Sequence, residues 1–201
     1  MAASKAHYKN MTTKPKMKIV INAPVVLTFS AICVTALILG KITGDNTTAA
    51  VFSVYRSSML SPLTYIRFFC HVFGHASVEH LIGNIMTILI LGPMLEERYG
   101  GKILVIVMTI TALITGVAHF ILFPGSALMG ASGIVFAFIL LSSFTGFKDR
   151  EIPLTFILVA VLYLGQQIYQ MVAIDDNVSQ LTHIIGGIVG SVLGYRLNKK
   201  Q

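Results

Sequence analysis

A chain of 201 residues is long enough for one domain. With 55% hydrophobic and only 11% charged residues, against about 25% charged in an average soluble domain, it is not composed as a soluble globule. The net charge of +7 would suit a nucleic-acid binder, but the placement of the charges argues against that class.

Residues 1–18 form a basic tail carrying Lys5, Lys9, Lys14, Lys16 and Lys18. Beyond it, residues 19–200 read as one six-helix membrane domain. A spanning helix needs about 20 apolar residues. The uncharged stretches place spans at about 19–40, 78–95, 103–123, 131–147, 153–173 and 179–196. The first follows a basic end, as a signal peptide does. Its uncharged run exceeds the roughly 7–15 residues of a signal core and no A-x-A site closes it, so it is expected to be retained. Cys33 lies in this span and Cys70 just before His71. With one cysteine at bilayer depth no disulfide is expected, and neither spacing suggests a metal or redox motif. The longest external loop, about 41–77, carries Tyr55, Leu60, Leu63, Tyr65, Ile66, Phe68 and Phe69. That is too apolar for a solvated linker, and the loop is expected to sit partly in the membrane interface.

With the N-terminus in the cytoplasm, twelve of the fifteen Lys and Arg residues fall on the inner side. Only Lys41, Arg56 and Arg67 fall outside. This split follows the positive-inside rule and puts both termini in the cytoplasm. The basicity is then a signal of topology and lipid headgroups rather than of nucleic acid.

Ionisable and polar side chains at bilayer depth are costly and mark function by default. His71, His75, His80 and Asn84 enter and line the second span. His80 and Asn84 are four apart and share a face, where two donors could bind an oxyanion. Taken singly, each is more simply an interhelical hydrogen-bonding group; the cluster reverses that preference. Gly130-Ala131-Ser132-Gly133 opens the fourth span. A serine there has free helix N-terminal N–H groups beside it, able to hold developing negative charge. A simple cap with close packing would look the same. His183 begins the sixth span and is followed by Gly186, Gly190 and Gly194. That smooth face lets another helix approach closely and can bring His183 to Ser132. Serine needs such a base to become a nucleophile, and a neutral histidine serves near pH 7. All these groups lie toward the outer ends of three separate spans.

The residues resemble the motifs of the rhomboid family. His75-x4-His80-x3-Asn84 resembles its second-helix signature, Gly130-Ala131-Ser132-Gly133 its GxSG nucleophile motif, and His183 with Gly186 and Gly190 its H-x-x-G-x-x-x-G. Arg67 stands four before His71, as an arginine of the family's first loop often does. Glu96-Glu97-Arg98-Tyr99-Gly100 resembles the E-x-R-x-G that closes the second helix. The resemblance covers about 60–200 with order and spacing kept. It implies an all-α, six-helix bundle and an intramembrane serine endopeptidase without metal or cofactor. Ser132 would be the nucleophile and His183 the base, while His80, Asn84 and the backbone at Gly130 to Ser132 would form the oxyanion site. His75, Arg67 and Glu96 would be structural. Substrates would be single-pass membrane proteins with helix-destabilising residues near the cut. Phe136 stands where the family often has tyrosine, so the ring can stack on the histidine but the hydroxyl is gone. His119 has no family counterpart and reads as a packing group. The minimal six-helix form points to a bacterial inner membrane.

Other classes fit less well. A zinc protease would want H-E-x-x-H, and His71-Val72-Phe73-Gly74-His75 lacks the glutamate. An aspartyl protease needs two buried aspartates, whereas Asp45, Asp149, Asp175 and Asp176 fall in loops. A transporter would show repeats or a polar path across the bundle. An inactive, helix-binding rhomboid relative remains the alternative, although such proteins usually lack the serine or the histidine.

Overall fold

The computed structural model describes residues 18–144, 152, 154–173 and 177–198. Helix α1 runs Pro24–Ile42, five residues later than the expected start at 19. Proline has no N–H to lose and a fixed φ, which suits a first helical turn, while the residue before it is steered away from helix. Residues 18–23 are accordingly not helical.

The segment expected as a loop over 41–77 is an ordered subdomain. It contains α2 (Asn46–Val51), strand β1 (Val54–Tyr55), α3 (Pro62–Cys70) and a 3-10 turn, His71–Phe73. Arg67 organises it from inside. Its Nε donates to the Ala50 carbonyl at 2.8 Å, and its guanidinium lies 4.3 Å from the centre of the Tyr55 ring. Strand β1 pairs antiparallel with β2 (Ala127–Leu128), Val54 opposite Leu128 and Tyr55 opposite Ala127. The loop is thereby tied to the segment that precedes Ser132.

Helix α4 (Val78–Tyr99) is capped by Ser77, whose hydroxyl accepts the His80 N–H at 3.1 Å. It continues through Glu96 and Arg98, past the expected end at 95, and stops at Gly100, where φ is 82°. Glu96 turns back across the bundle. Its two carboxylate oxygens accept the N–H groups of Val25 and Val26, each at 3.0 Å. A buried anion thus caps the first turn of α1, where unpaired N–H groups and the helix dipole favour it.

Helix α5 spans Gly101–Leu122. Helix α6 (Ser132–Ser143) has 12 residues and is closed by Phe144; the expected end at 147 lies outside the described residues. Helices α7 (Leu154–Ala173) and α8 (Asn177–Asn198) complete the described chain.

At about 1.5 Å per residue, α6 is roughly three fifths as long as a 30 Å hydrocarbon core. It is apolar all round and buried all round: Ile134, Ala137, Phe138, Leu140 and Leu141 are at most 1% exposed. A helix of that kind belongs at the centre of a bundle. Around it the large apolar side chains face outward, among them Ile38, Ile90, Ile106, Leu162 and Ile188. So broad an exposed apolar belt is stable against lipid rather than water. Among the described residues three helices, α1, α4 and α5, are long and apolar enough to cross a membrane by themselves. The protein is an all-α polytopic membrane bundle.

Candidate active site

Gly186, Gly190 and Gly194 form one stripe of α8, and α6 lies against it without intervening side chains. A Cβ added at Gly186 would fall on the Gly133 carbonyl oxygen, one at Gly190 on the Ala137 carbonyl oxygen, and one at Gly194 on the Phe144 ring. The two helices run in the same direction, since both sets of numbers rise together. Backbones meeting this closely fix the register of whatever the two helices carry.

One turn before Gly186 stands His183. Its imidazole is stacked on the Phe136 ring, with centroids 4.2 Å apart and planes 10° from parallel. Phe136 is held from another side by Tyr163 of α7, also at 4.2 Å. Ser132 is the first residue of α6, one turn before Phe136 and on the same face. The seam therefore carries His183 to the face of α6 that bears Ser132. It also leaves the first-turn N–H groups of α6 beside that hydroxyl, without intrahelical acceptors.

Opposite this seam lies the N-terminal end of α4. Gly130 has φ 132°, a conformation for which glycine is suited. A Cβ there would sit 2.8 Å from His80 Cε1, 2.9 Å from His80 Nε2 and 3.8 Å from Asn84 Nδ2. The loop before the serine is thus pressed onto His80 and Asn84. Asn84 is buried, and its amide nitrogen has no hydrogen-bond partner. An orphan donor of this kind is expensive in a resting protein and is poised for an acceptor that arrives later.

His75 packs its ring edge-on to His80, with centroids 5.1 Å apart. Its Nδ1 donates to the Phe73 carbonyl at 3.1 Å. Burial, reinforced by neighbouring His80, pushes its pKa down to about 4. His71, which the sequence reading left without a defined role, has three contacts. Its carbonyl accepts the Gly130 N–H at 2.9 Å, its Nδ1 donates to the Arg67 carbonyl at 3.2 Å, and its Nε2 lies 3.3 Å from the Thr115 hydroxyl. Burial also takes the His71 pKa down to about 4. A contact made through a backbone carbonyl leaves no mark on the identity of the residue that makes it. His119 of α5 donates through Nε2 to the Ser126 carbonyl at 3.1 Å, a packing role in the segment that leads to β2.

The depth of the site follows from its neighbours. A Cβ on Gly133 would touch the Thr115 methyl at 3.2 Å. Thr115 lies seven residues before the end of α5 at Leu122, which is about 10 Å at 1.5 Å per residue. Ser132 therefore sits well below the rim of the bundle. Of the expected site residues, Gly130, His80 and Asn84 are gathered on one side of Ser132, and His183, Phe136, Gly186 and Gly190 on the other. His75 and Arg67 lie behind His80 in the loop subdomain. Glu96 is apart from all of them, at the far end of α4.

The model of the rhomboid domain matches residues 62–200. A rhomboid protease GlpG from Yersinia pestis (strain Pestoides F) is 27% identical over 177 residues, which is 86% of this chain and 62% of that protein. Rhomboid-related protein 2 from Mus musculus is 31% identical over 156 residues, 67% of this chain and 51% of its own length. The chain thus spans between half and two thirds of the length of these curated relatives.

Proposed function

The chain belongs to the rhomboid family, and from that membership we propose that it is an intramembrane serine endopeptidase acting through Ser132 and His183. The observation that carries the reading is the seam itself: an imidazole stacked one turn from a helix N-terminal serine, about 10 Å below the bundle rim, with an unpaired buried amide across from it.

In this mechanism His183 takes the Ser132 hydroxyl proton as the oxygen attacks a peptide carbonyl. The oxyanion is held by the Asn84 amide, His80 and the Ser132 N–H, donors already in place before substrate arrives. His183 then protonates the leaving amine, and water admitted to the site hydrolyses the acyl-enzyme by the same proton path in reverse. His183 has the Phe136 ring as an orienting contact. Substrates are single-pass membrane proteins whose helix unwinds near the cut, since a formed helix shields its peptide bonds. The protein spans the membrane six times with both termini in the cytoplasm, as the distribution of basic residues supports.

The test is cleavage of a generic single-span substrate by purified protein in detergent, with and without chelator. Ser132→Ala and His183→Ala should each lower turnover by at least about 10³-fold, and chelator should change nothing. Asn84→Ala should cost about 10²–10³ in kcat with little change in KM. Mutants that cut like wild type would sink the dyad. A wild type silent on several such substrates would favour an inactive, helix-binding role instead.

A further inference from the structure

A cavity lies on the far side of α6 from Ser132. It has a volume of about 410 Å³ and is walled by α1 and α5. The wall on α1 is the stripe Val25, Thr28, Phe29 and Ile32; that on α5 is Val105, Thr109 and Ala112. Phe69, Val72 and Phe73 roof it and Ile134 lies at its floor. The lining is almost wholly apolar, so water has too few partners there to fill it.

Three observations say what does. The groove opens sideways between two helices whose outer faces, Leu27, Val34 and Ile106 among them, are exposed to hydrocarbon. Its length from Val25 to Ile32 is about 10 Å along α1, short of the roughly 15 Å half-thickness of a bilayer core, so it accepts one leaflet's chain and not a spanning helix. And a lysine stands at its inner end, where the Glu96 carboxylate is taken up by the Val25 and Val26 N–H groups. Lys102 is exposed and lies on the groove face of α5, at i, i+3 and i+7 from Val105 and Thr109. The start of α1 is beside it, since a Cβ on Gly101 would sit 3.0 Å from Val25.

We propose that this groove is a binding site for one phospholipid, its acyl chain lying between α1 and α5 and its phosphate against Lys102. An anionic headgroup is preferred, because the ammonium adds attraction for net negative charge. The site rests on membrane residence alone and is independent of the catalytic reading. It bears on the active site through its roof: Val72 and Phe73 belong to the turn whose His71 carbonyl holds the Gly130 N–H.

The chain has no tryptophan, so a single introduced indole reports on its own surroundings. Phe69→Trp places one in the roof of the groove, and Ile90→Trp places one on the exposed outer face of α4 as a control. Each is reconstituted in nanodiscs of phosphatidylcholine with increasing chain-brominated phosphatidylglycerol, and quenching is followed. The Phe69→Trp signal should be half-quenched at about fivefold lower brominated lipid than the control. Adding Lys102→Glu should remove that difference. Should Phe69→Trp misfold, Ile32→Trp on the α1 wall carries the same expectation. Coincident curves for groove and control positions, or a preference that survives Lys102→Glu, would overturn the site. So would an unquenched groove tryptophan beside a quenched control, which would mean that a protein segment occupies it.

Discussion

The two faces of α6 are built on opposite plans. Toward α8 the contact is backbone to backbone, with Gly186 on Gly133 and Gly190 on Ala137. Toward α1 and α5 the same helix, at Ile134, floors a gap of about 410 Å³. The difference follows from the solvent. Lipid tails are as apolar as leucine, so no hydrophobic force closes a gap between membrane helices. Closure happens only where small residues let backbones meet. The chain spends its glycines on the seam that must hold His183 to the Ser132 face and leaves bulky residues where lipid can fill in.

The contrast is broken most strongly by Gly190→Leu. The new side chain would fall on the Ala137 carbonyl and separate the seam, and a displacement of about 1 Å is enough to lower turnover about 10²-fold. The matched change on the open face, Thr109→Leu, should leave cleavage within about twofold, because the gap accommodates it. Equal losses in the two variants would show that the seam has no special role. A purely structural effect is tested by replacing Glu96, which lies at the far end of α4 from the seam, beside the inner end of the groove. Glu96→Ala removes two charge-assisted bonds to the start of α1 and should cost about 3 kcal/mol in unfolding free energy, while kcat of the folded fraction is unchanged. A milder perturbation is acid. Folded His71 and His75 have pKa values of about 4 against an ordinary 6.5. The unfolded chain therefore binds protons that the folded chain refuses, so stability is full above about pH 6.5 and is lost as pH falls from 6.5 toward 4. His71 alone should account for about 2 kcal/mol at pH 5. Unfolding at pH 7 and pH 5, for wild type and His71→Asn, measures it: the variant should show the smaller pH dependence.

Much of this was legible in the residues. Uncharged runs of bilayer length, the bias of basic residues to one side, and the glycine stripe after His183 belong to local sequence, because each depends only on spacing along one helix. The approach of Gly130 to His80 and Asn84, and of His183 to Phe136, could be anticipated because these residues lie near the same end of their helices. The boundaries could not. Pro24 moved the start of α1 from 19 to 24. The loop over 41–77 looked like an interfacial connection and is a folded unit held by Arg67.

What the sequence by itself determined is which segments enter the membrane and which polar residues they carry there, since both follow from the cost of placing charge and unpaired backbone in hydrocarbon. What only the tertiary structure decided is who meets whom across the bundle: Glu96 with the first turn of α1, the His71 carbonyl with Gly130, Gly130 with His80, and the gap between α1 and α5. These pairings join residues up to 71 positions apart. They are set by how closely whole helices can approach, a property that no single stretch of chain contains.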